Sequence, residues 1–165
     1  MKNTKPHRFS AIKTPMGKFS VAVDDTGAIA AAVFGDKAEL NERLGGAALV
    51  ADASSTAAAR KQVEAWFKGK RRDFSIALSP AGTPFQKRVW AALRKIPYGE
   101  TQSYGDIARA IGSSPRAVGR ANATNPICVI VPCHRVIGSD GSLTGYAFGE
   151  RTKRRLLKFE SRPSR

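Results

Sequence analysis

At Ser79-Pro80-Ala81-Gly82 the chain changes its hydrophobic period, and that break constrains the fold more than any other feature. Before it, short apolar runs alternate with turn residues: FSAIKT, Pro15-Met16-Gly17, KFSVAVD, Asp25-Thr26-Gly27, AIAAAVF. Strand-length runs separated by such turns predict an antiparallel meander over 8–34. KAELNERLG predicts a short helix, 47–55 a loop of small residues, and Thr56–Lys68 a helix with Val63, Trp66 and Phe67 on one face. DFSIALS predicts a closing strand.

After the break the period is helical. Thr83 predicts an N-cap with Pro84 at the first helical position, and Phe85, Val89, Ala92, Leu93 and Ile96 share a face. Ser103 and Asp106 predict a capping box opening SYGDIARAIG. Gly112-Ser113-Ser114-Pro115 then turns the chain into RAVGRANAT, a pattern that fits a helix-turn-helix. ERTKRRLLKFESR predicts a last, basic helix. The expected fold class is α/β in the α+β sense, with an N-terminal α/β domain over 1–80 and a C-terminal, largely helical domain over 81–165.

Charge is unevenly placed. The chain carries a formal +15, from 28 Lys+Arg and 13 Asp+Glu. Residues 1–80 contribute 13 basic and 8 acidic side chains, residues 81–165 contribute 15 and 5. A basic excess concentrated in one half is the electrostatic footprint of a nucleic-acid or anionic-surface binder. The N-terminus, MKNTKPHRFSAIKTP, has cations with no apolar core behind them and does not read as a signal peptide. The longest apolar run, Ala28–Phe34, is far short of the ~20 residues of a membrane span. The expectation is a cytoplasmic protein with no membrane partner.

Two cysteines, Cys128 and Cys133, lie in CVIVPCHRVI, which reads as an extended segment. Five extended residues span about 16 Å, beyond the ~7 Å a disulfide tolerates, so both thiols are expected free. His7 and His134 are the only histidines and no CxxC or HxxxH pair exists, so no metal and no cofactor is expected. Cys133 is followed by His134 and Arg135. A thiol of ordinary pKa is only a few per cent thiolate at neutral pH, and basic neighbours raise that fraction. On an extended strand, however, His134 would point away from Cys133, so a water or a local bend is needed for it to act on the thiol.

The segment Asn125-Pro-Ile-Cys-Val-Ile-Val-Pro-Cys-His-Arg-Val-Ile-Gly resembles the signature of the O6-alkylguanine-DNA alkyltransferases, the methylated-DNA–protein-cysteine methyltransferases. IPYGETQSYGDIA at 96–108, PRAVGRANATNP at 115–126, GSLTGYAFG at 141–149 and the last helix extend the likeness over 83–160. The resemblance implies a ribonuclease H-like N-terminal domain and a winged helix-turn-helix-like C-terminal domain. The implied activity is direct-reversal repair of double-stranded DNA carrying alkylated bases. A methyl group of O6-alkylguanine, with O4-alkylthymine left open as a second lesion, moves stoichiometrically to Cys133 of a monomer without an obligate protein partner, after nucleotide flipping.

Residue by residue, the resemblance makes Cys133 the acceptor, His134 its base through a water, and Glu160 the carboxylate orienting that histidine. It makes Asn125 the brace of the turn and Tyr104 the proton donor to the leaving guanine. Arg116 would fill the gap left by the extruded base, and Ala117 and Ala121 would let the second helix lie close in the minor groove. Val136, Tyr146 and the main chain around Ala147 would form the pocket wall. Phosphate contacts are expected from Arg109, Arg120, Arg135 and Lys153. One departure stands out: Phe148 occupies a position where the family commonly has glycine, which would narrow the pocket.

Other functions remain open at this point. A non-catalytic damage sensor of this family would lack the acceptor cysteine, which this chain retains. A cysteine hydrolase needs an oxyanion hole and a distant histidine, for which only His7 is available. A plain helix-turn-helix regulator leaves PCHRV unexplained.

Overall fold

The computed structural model describes residues 5–161. Met1–Thr4 of the basic N-terminal stretch, and Arg162 of the expected last helix, lie outside the described residues. The chain divides into two units, 1–81 and 82–165, within two residues of the Ser79-Pro80 break.

In the first unit, β1 (His7–Thr14), β2 (Gly17–Val23) and β3 (Ile29–Phe34) form the expected antiparallel meander. Thr14 and Gly17 close the first hairpin, and Gly17 has φ +99°, a conformation costly for any residue with a Cβ. Phe19–Val23 and Ile29–Val33 are buried without interruption, so both faces of β2 and β3 are covered. α1 (Lys37–Arg43), opened by an Asp36/Glu39 capping box, packs on β2 and β3, while α2 (Ala57–Phe67) packs on β1. Phe67 meets Phe19 edge-on at 5.5 Å, and Val63 and Trp66 are buried beside it on the expected helical face.

Two expectations fail here. The loop over 47–55 contains a strand, β4 (Leu49–Ala51), pairing in parallel with His7–Phe9 and giving the sheet order β3-β2-β1-β4. All three residues are apolar yet stay at least partly exposed, so burial does not mark the strand, and its pairing with β1 defines it. Conversely, DFSIALS is not a strand: it touches the sheet through a single parallel bridge, Ile29 to Leu78. Its upstream backbone is tied to side chains, with Gln62 Oε1 accepting from Ser75 N–H at 3.0 Å and Arg71 Nε donating to the Asp73 carbonyl at 2.7 Å.

The second unit consists of α3 (Pro84–Leu93), β5 (Gln102–Ser103), α4 (Tyr104–Ile111), α5 (Pro115–Ala123), a 3-10 turn (Cys133–Arg135), β6 (Val136–Ile137) and α6 (Glu150–Glu160). Thr83 caps α3 and Ser103 caps α4 in a capping box, both as expected, and Thr83 closes a capping box of its own with Gln86. β5 and β6 pair in parallel. The fold is α+β, a mainly antiparallel sheet unit followed by a helical one. Among the described residues, no helix is long and apolar enough to cross a membrane.

Candidate active site

α4 ends at Gly112, whose φ of +70° suits glycine, and α5 begins at Ser114, whose hydroxyl accepts from Ala117 N–H at 3.2 Å. The helix-turn-helix is therefore built by a three-residue turn, 112–114, whose first and last residues are the two caps. The Trp90 indole N–H donates to the Ala121 carbonyl at 2.8 Å and fixes α5 against α3. α5 buries Val118, Ala121 and Asn122 and presents Arg116 and Arg120 to solvent. Ala117 is half-buried. Ala121 is 4% exposed where α5 packs on α3, so its side chain is not on the solvent face that its expected role needs.

Beyond α5 the chain does not run extended. Ile130 N–H donates to the Cys128 carbonyl, Val131 N–H to Ile127, Cys133 N–H to Val131 and Arg135 N–H to Pro132, a succession of tight turns ending in the 3-10 turn. Val129 sits at φ +70°, rare for a β-branched residue. Asn125 replaces the partner strand. Its Nδ2 donates to the Val131 carbonyl at 3.0 Å and the Ile127 carbonyl at 3.3 Å, and its Oδ1 accepts from Ile127 N–H at 3.0 Å. The local bend that His134 requires is thus present. Neither cysteine is in a disulfide, although the extended reach from which that was expected is absent.

Cys133 is 3% exposed and His134 fully buried. His134 Nε2 lies 2.9 Å from Glu160 Oε2. Burial disfavours the charged imidazolium and pulls the His134 pKa below its ordinary value; Glu160 pulls it up, and Arg135 and Lys153 push it down. Burial alone would raise the Glu160 pKa, but hydrogen bonds from His134 and Arg135 and their charge hold it well below the usual carboxylate range. With Glu160 ionised, Nε2 carries the proton and Nδ1 keeps the lone pair.

Two expected phosphate contacts are corrected. Arg135 is 6% exposed and its guanidinium is committed to Glu160 and the Ile96 carbonyl. Lys153 has no exposure; it donates to the Val136 carbonyl and lies 5.8 Å from the centre of the Tyr104 ring. Burial lowers the Lys153 pKa, while negative charge on Cys133 and Glu150 raises it. The sequence holds a signal for this: Lys153, Leu156 and Glu160 fall on the one buried stripe of α6, at helical spacing. Arg109 is exposed and paired with Asp106, and Arg120 is exposed.

Tyr104 opens α4 and reaches the same place. Its hydroxyl donates to the Thr144 carbonyl at 3.3 Å, and its pKa is raised by burial and by charge on Cys133, against a hydrogen bond with Asn122. Asn122 also donates to the Cys133 carbonyl at 3.4 Å, a buried contact that the sequence reading missed. Its only sequence signal is its place beside Val118 and Ala121 on the inner face of α5. Val136 and Tyr146 are buried, Ala147 is exposed, and Phe148 meets Tyr146 edge-on with ring centres 5.8 Å apart. The structure therefore gathers Cys133, His134, Glu160, Asn125, Tyr104 and Val136 in one unit. Arg116 stands apart on the exposed start of α5.

The family models of 6-O-methylguanine DNA methyltransferase match this chain twice, the ribonuclease-like domain over 8–80 and the DNA binding domain over 84–162. The chain belongs to this family. As a 6-O-methylguanine DNA methyltransferase family member, it is 58% identical over 104 residues to the methylated-DNA–protein-cysteine methyltransferase of Methanosarcina acetivorans. That stretch covers 62% of this chain and 67% of the relative. Among solved structures, the Mycobacterium tuberculosis OGT in complex with DNA superposes with a TM-score of 0.82 at 40% identity, covering 93% of this chain and 92% of that one. The O6-methylguanine-DNA methyltransferase of Pyrococcus kodakaraensis gives 0.65 at 26% identity, over 94% and 99%.

Proposed function

We propose that this chain repairs duplex DNA by moving the alkyl group of O6-alkylguanine onto Cys133, once per molecule. The supporting observation is a buried cysteine beside a histidine whose far nitrogen is held by an ionised carboxylate. In this reading the Cys133 proton passes through a water to His134 Nδ1, and Glu160 stabilises the resulting imidazolium. The thiolate attacks the methyl carbon; the S–C bond forms as the C–O6 bond breaks, and the electron pair leaves with guanine. Tyr104, whose raised pKa keeps its phenol protonated at neutral pH, supplies the proton that neutralises the departing base. Lys153 places a buried cation where the thiolate charge develops.

Cys133 lies too deep to meet a base inside a stack, so the target nucleotide is flipped out at a cost of a few kcal/mol. Arg116 fills the vacated place, the α5 surface around Ala117 lies in the minor groove, and Arg120 contacts phosphate. The thioether product is stable, because thiolate is a poor leaving group from saturated carbon. We place the activity in the cytoplasm, in a monomer, with O4-alkylthymine as the secondary lesion.

The test is intact-protein and peptide mass spectrometry after mixing with duplex DNA carrying one O6-methylguanine. One methyl per molecule on Cys133 is expected. Lesion-selective binding with no mass gain would instead make the protein a damage sensor. A second expectation concerns the pocket wall: with Phe148 beside Tyr146, benzyl-sized groups should react poorly. Phe148→Gly should be inactivated by O6-benzylguanine about tenfold faster than the native protein, a difference of one discriminating contact of about 1.4 kcal/mol. Equal inactivation rates would show that Phe148 does not restrict the pocket.

A further inference from the structure

A buried carboxylate next to a histidine ordinarily favours the imidazolium, because an opposite charge within hydrogen-bonding distance shifts a pKa by one to three units. An imidazolium cannot accept the thiol proton. If Glu160 acted on His134 alone, the pair that orients the base would also disarm it.

The local geometry contains the remedy. Arg135 Nε donates to both Glu160 oxygens, at 2.9 and 3.1 Å, and Nη2 donates to Oε2 at 2.7 Å. Nη1 donates to the Ile96 carbonyl at 2.7 Å, just past α3, and the Tyr98 ring centre lies 5.6 Å from the guanidinium carbon. Gly99 N–H adds a long contact to Glu160 Oε1 at 3.4 Å. Glu160 Oε2 therefore accepts from His134 and Arg135 together, and the Arg–Glu pair presents no net charge to the imidazole.

We infer that Arg135 is a positioning residue: its guanidinium fixes the Glu160 carboxylate and offsets its charge, so that His134 is held by a hydrogen bond yet remains a neutral imidazole ready to take the Cys133 proton. The charged groups acting on His134 are Glu160 and Lys153 from α6 and Arg135 from its own turn, with Cys133 adjacent in the chain. Two cations and burial stand against one carboxylate, in keeping with the lowered His134 pKa. A lysine in place of Arg135 keeps the charge but loses the planar two-oxygen grip.

The inference rests on the alkyl-transfer reading for its meaning, but its main readout does not. NMR titration of the His134 ring in the full-length protein is compared between native, Arg135→Lys and Arg135→Met forms, alongside single-turnover methyl transfer as a function of pH. The native ring should titrate below its ordinary value. Arg135→Met should raise the midpoint by about one unit or more. The acid limb of the transfer rate should move up with it, so that the rate at a pH below both midpoints drops about tenfold and recovers in alkali. Arg135→Lys should fall between the two. An unmoved His134 midpoint in folded Arg135→Met overturns the inference. So does a rate loss that is equal at every pH. Should Arg135→Met fail to fold, Arg135→Met/Glu160→Gln is compared with Glu160→Gln. The double variant must titrate higher, because it lacks the guanidinium, and equal midpoints overturn the inference. If the titrations behave as expected but no methyl is transferred, the proposed function fails and the electrostatic inference stands.

Discussion

Cys133→Ala is expected to gain no mass from duplex DNA carrying O6-methylguanine, while binding that DNA within about threefold of the native protein, a difference below about 0.7 kcal/mol. The substitution removes one sulfur from a site already 3% exposed. The main-chain contacts that place residue 133, its N–H to the Val131 carbonyl and its carbonyl from Asn122, survive the change. The exposed α5 surface with Arg116 and Arg120 is untouched. Cys128 is the other cysteine of the sequence. It is 1% exposed, and its sulfur lies 3.8 Å from the Asn125 carbonyl oxygen. Intact-mass measurement after prolonged incubation reads the outcome directly. A methyl appearing on Cys128, or anywhere else in the variant, would remove Cys133 from the centre of the mechanism.

The helical unit was legible because its signals are local. Thr83-Pro84, the Ser103/Asp106 pair and the Gly112-Ser113-Ser114-Pro115 turn each close their own hydrogen bonds within four residues, so sequence spacing and structure coincide. The elements that escaped depend on distant partners. β4 exists because His7–Phe9 offers it a free edge, and nothing in Leu49-Val50-Ala51 announces that. DFSIALS alternates as a strand should, yet Gln62 and Arg71 take the backbone groups a ladder would need. At the active site the residue types were readable but the path was not. A run of Val, Ile and Pro reads as extended, and only the Asn125 carboxamide makes it fold back. Arg135 and Lys153 were misread for a related reason. Surface cations and buried ones look alike in a basic half, unless helical register or a carboxylate at the right distance distinguishes them.

Asn125→Ala should be among the most damaging single changes in the protein, costing about 3–5 kcal/mol of stability. The carboxamide is 1% exposed and serves three backbone groups of one turn. Its loss orphans the Ile127 N–H and takes one of two donors from each of the Ile127 and Val131 carbonyls, which keep the N–H groups of Val131 and Cys133; the orphaned donor costs about 1–3 kcal/mol and each lost bond about 0.5–1.5 kcal/mol. The turn also carries Val129 at φ +70°, a conformation about 1–2 kcal/mol above the right-handed alternative for a residue with a Cβ. Without the brace, relaxation of Val129 is the natural route by which the turn opens, and Cys133, hydrogen-bonded to Val131, moves with it. Asn125→Asp offers no escape. It keeps the acceptor for Ile127 N–H but sets a buried carboxylate oxygen against two carbonyls, so it should be at least as harmful. Asn41→Ala is the control, since Asn41 makes one comparable bond, to the Ala47 carbonyl at 2.9 Å, on the exposed surface. It should cost no more than about 1 kcal/mol. Urea unfolding of the three variants separates the possibilities. A loss below about 1 kcal/mol for Asn125→Ala would mean that the turn is held by its own backbone bonds and the packing around Val129, and that Asn125 is a passenger.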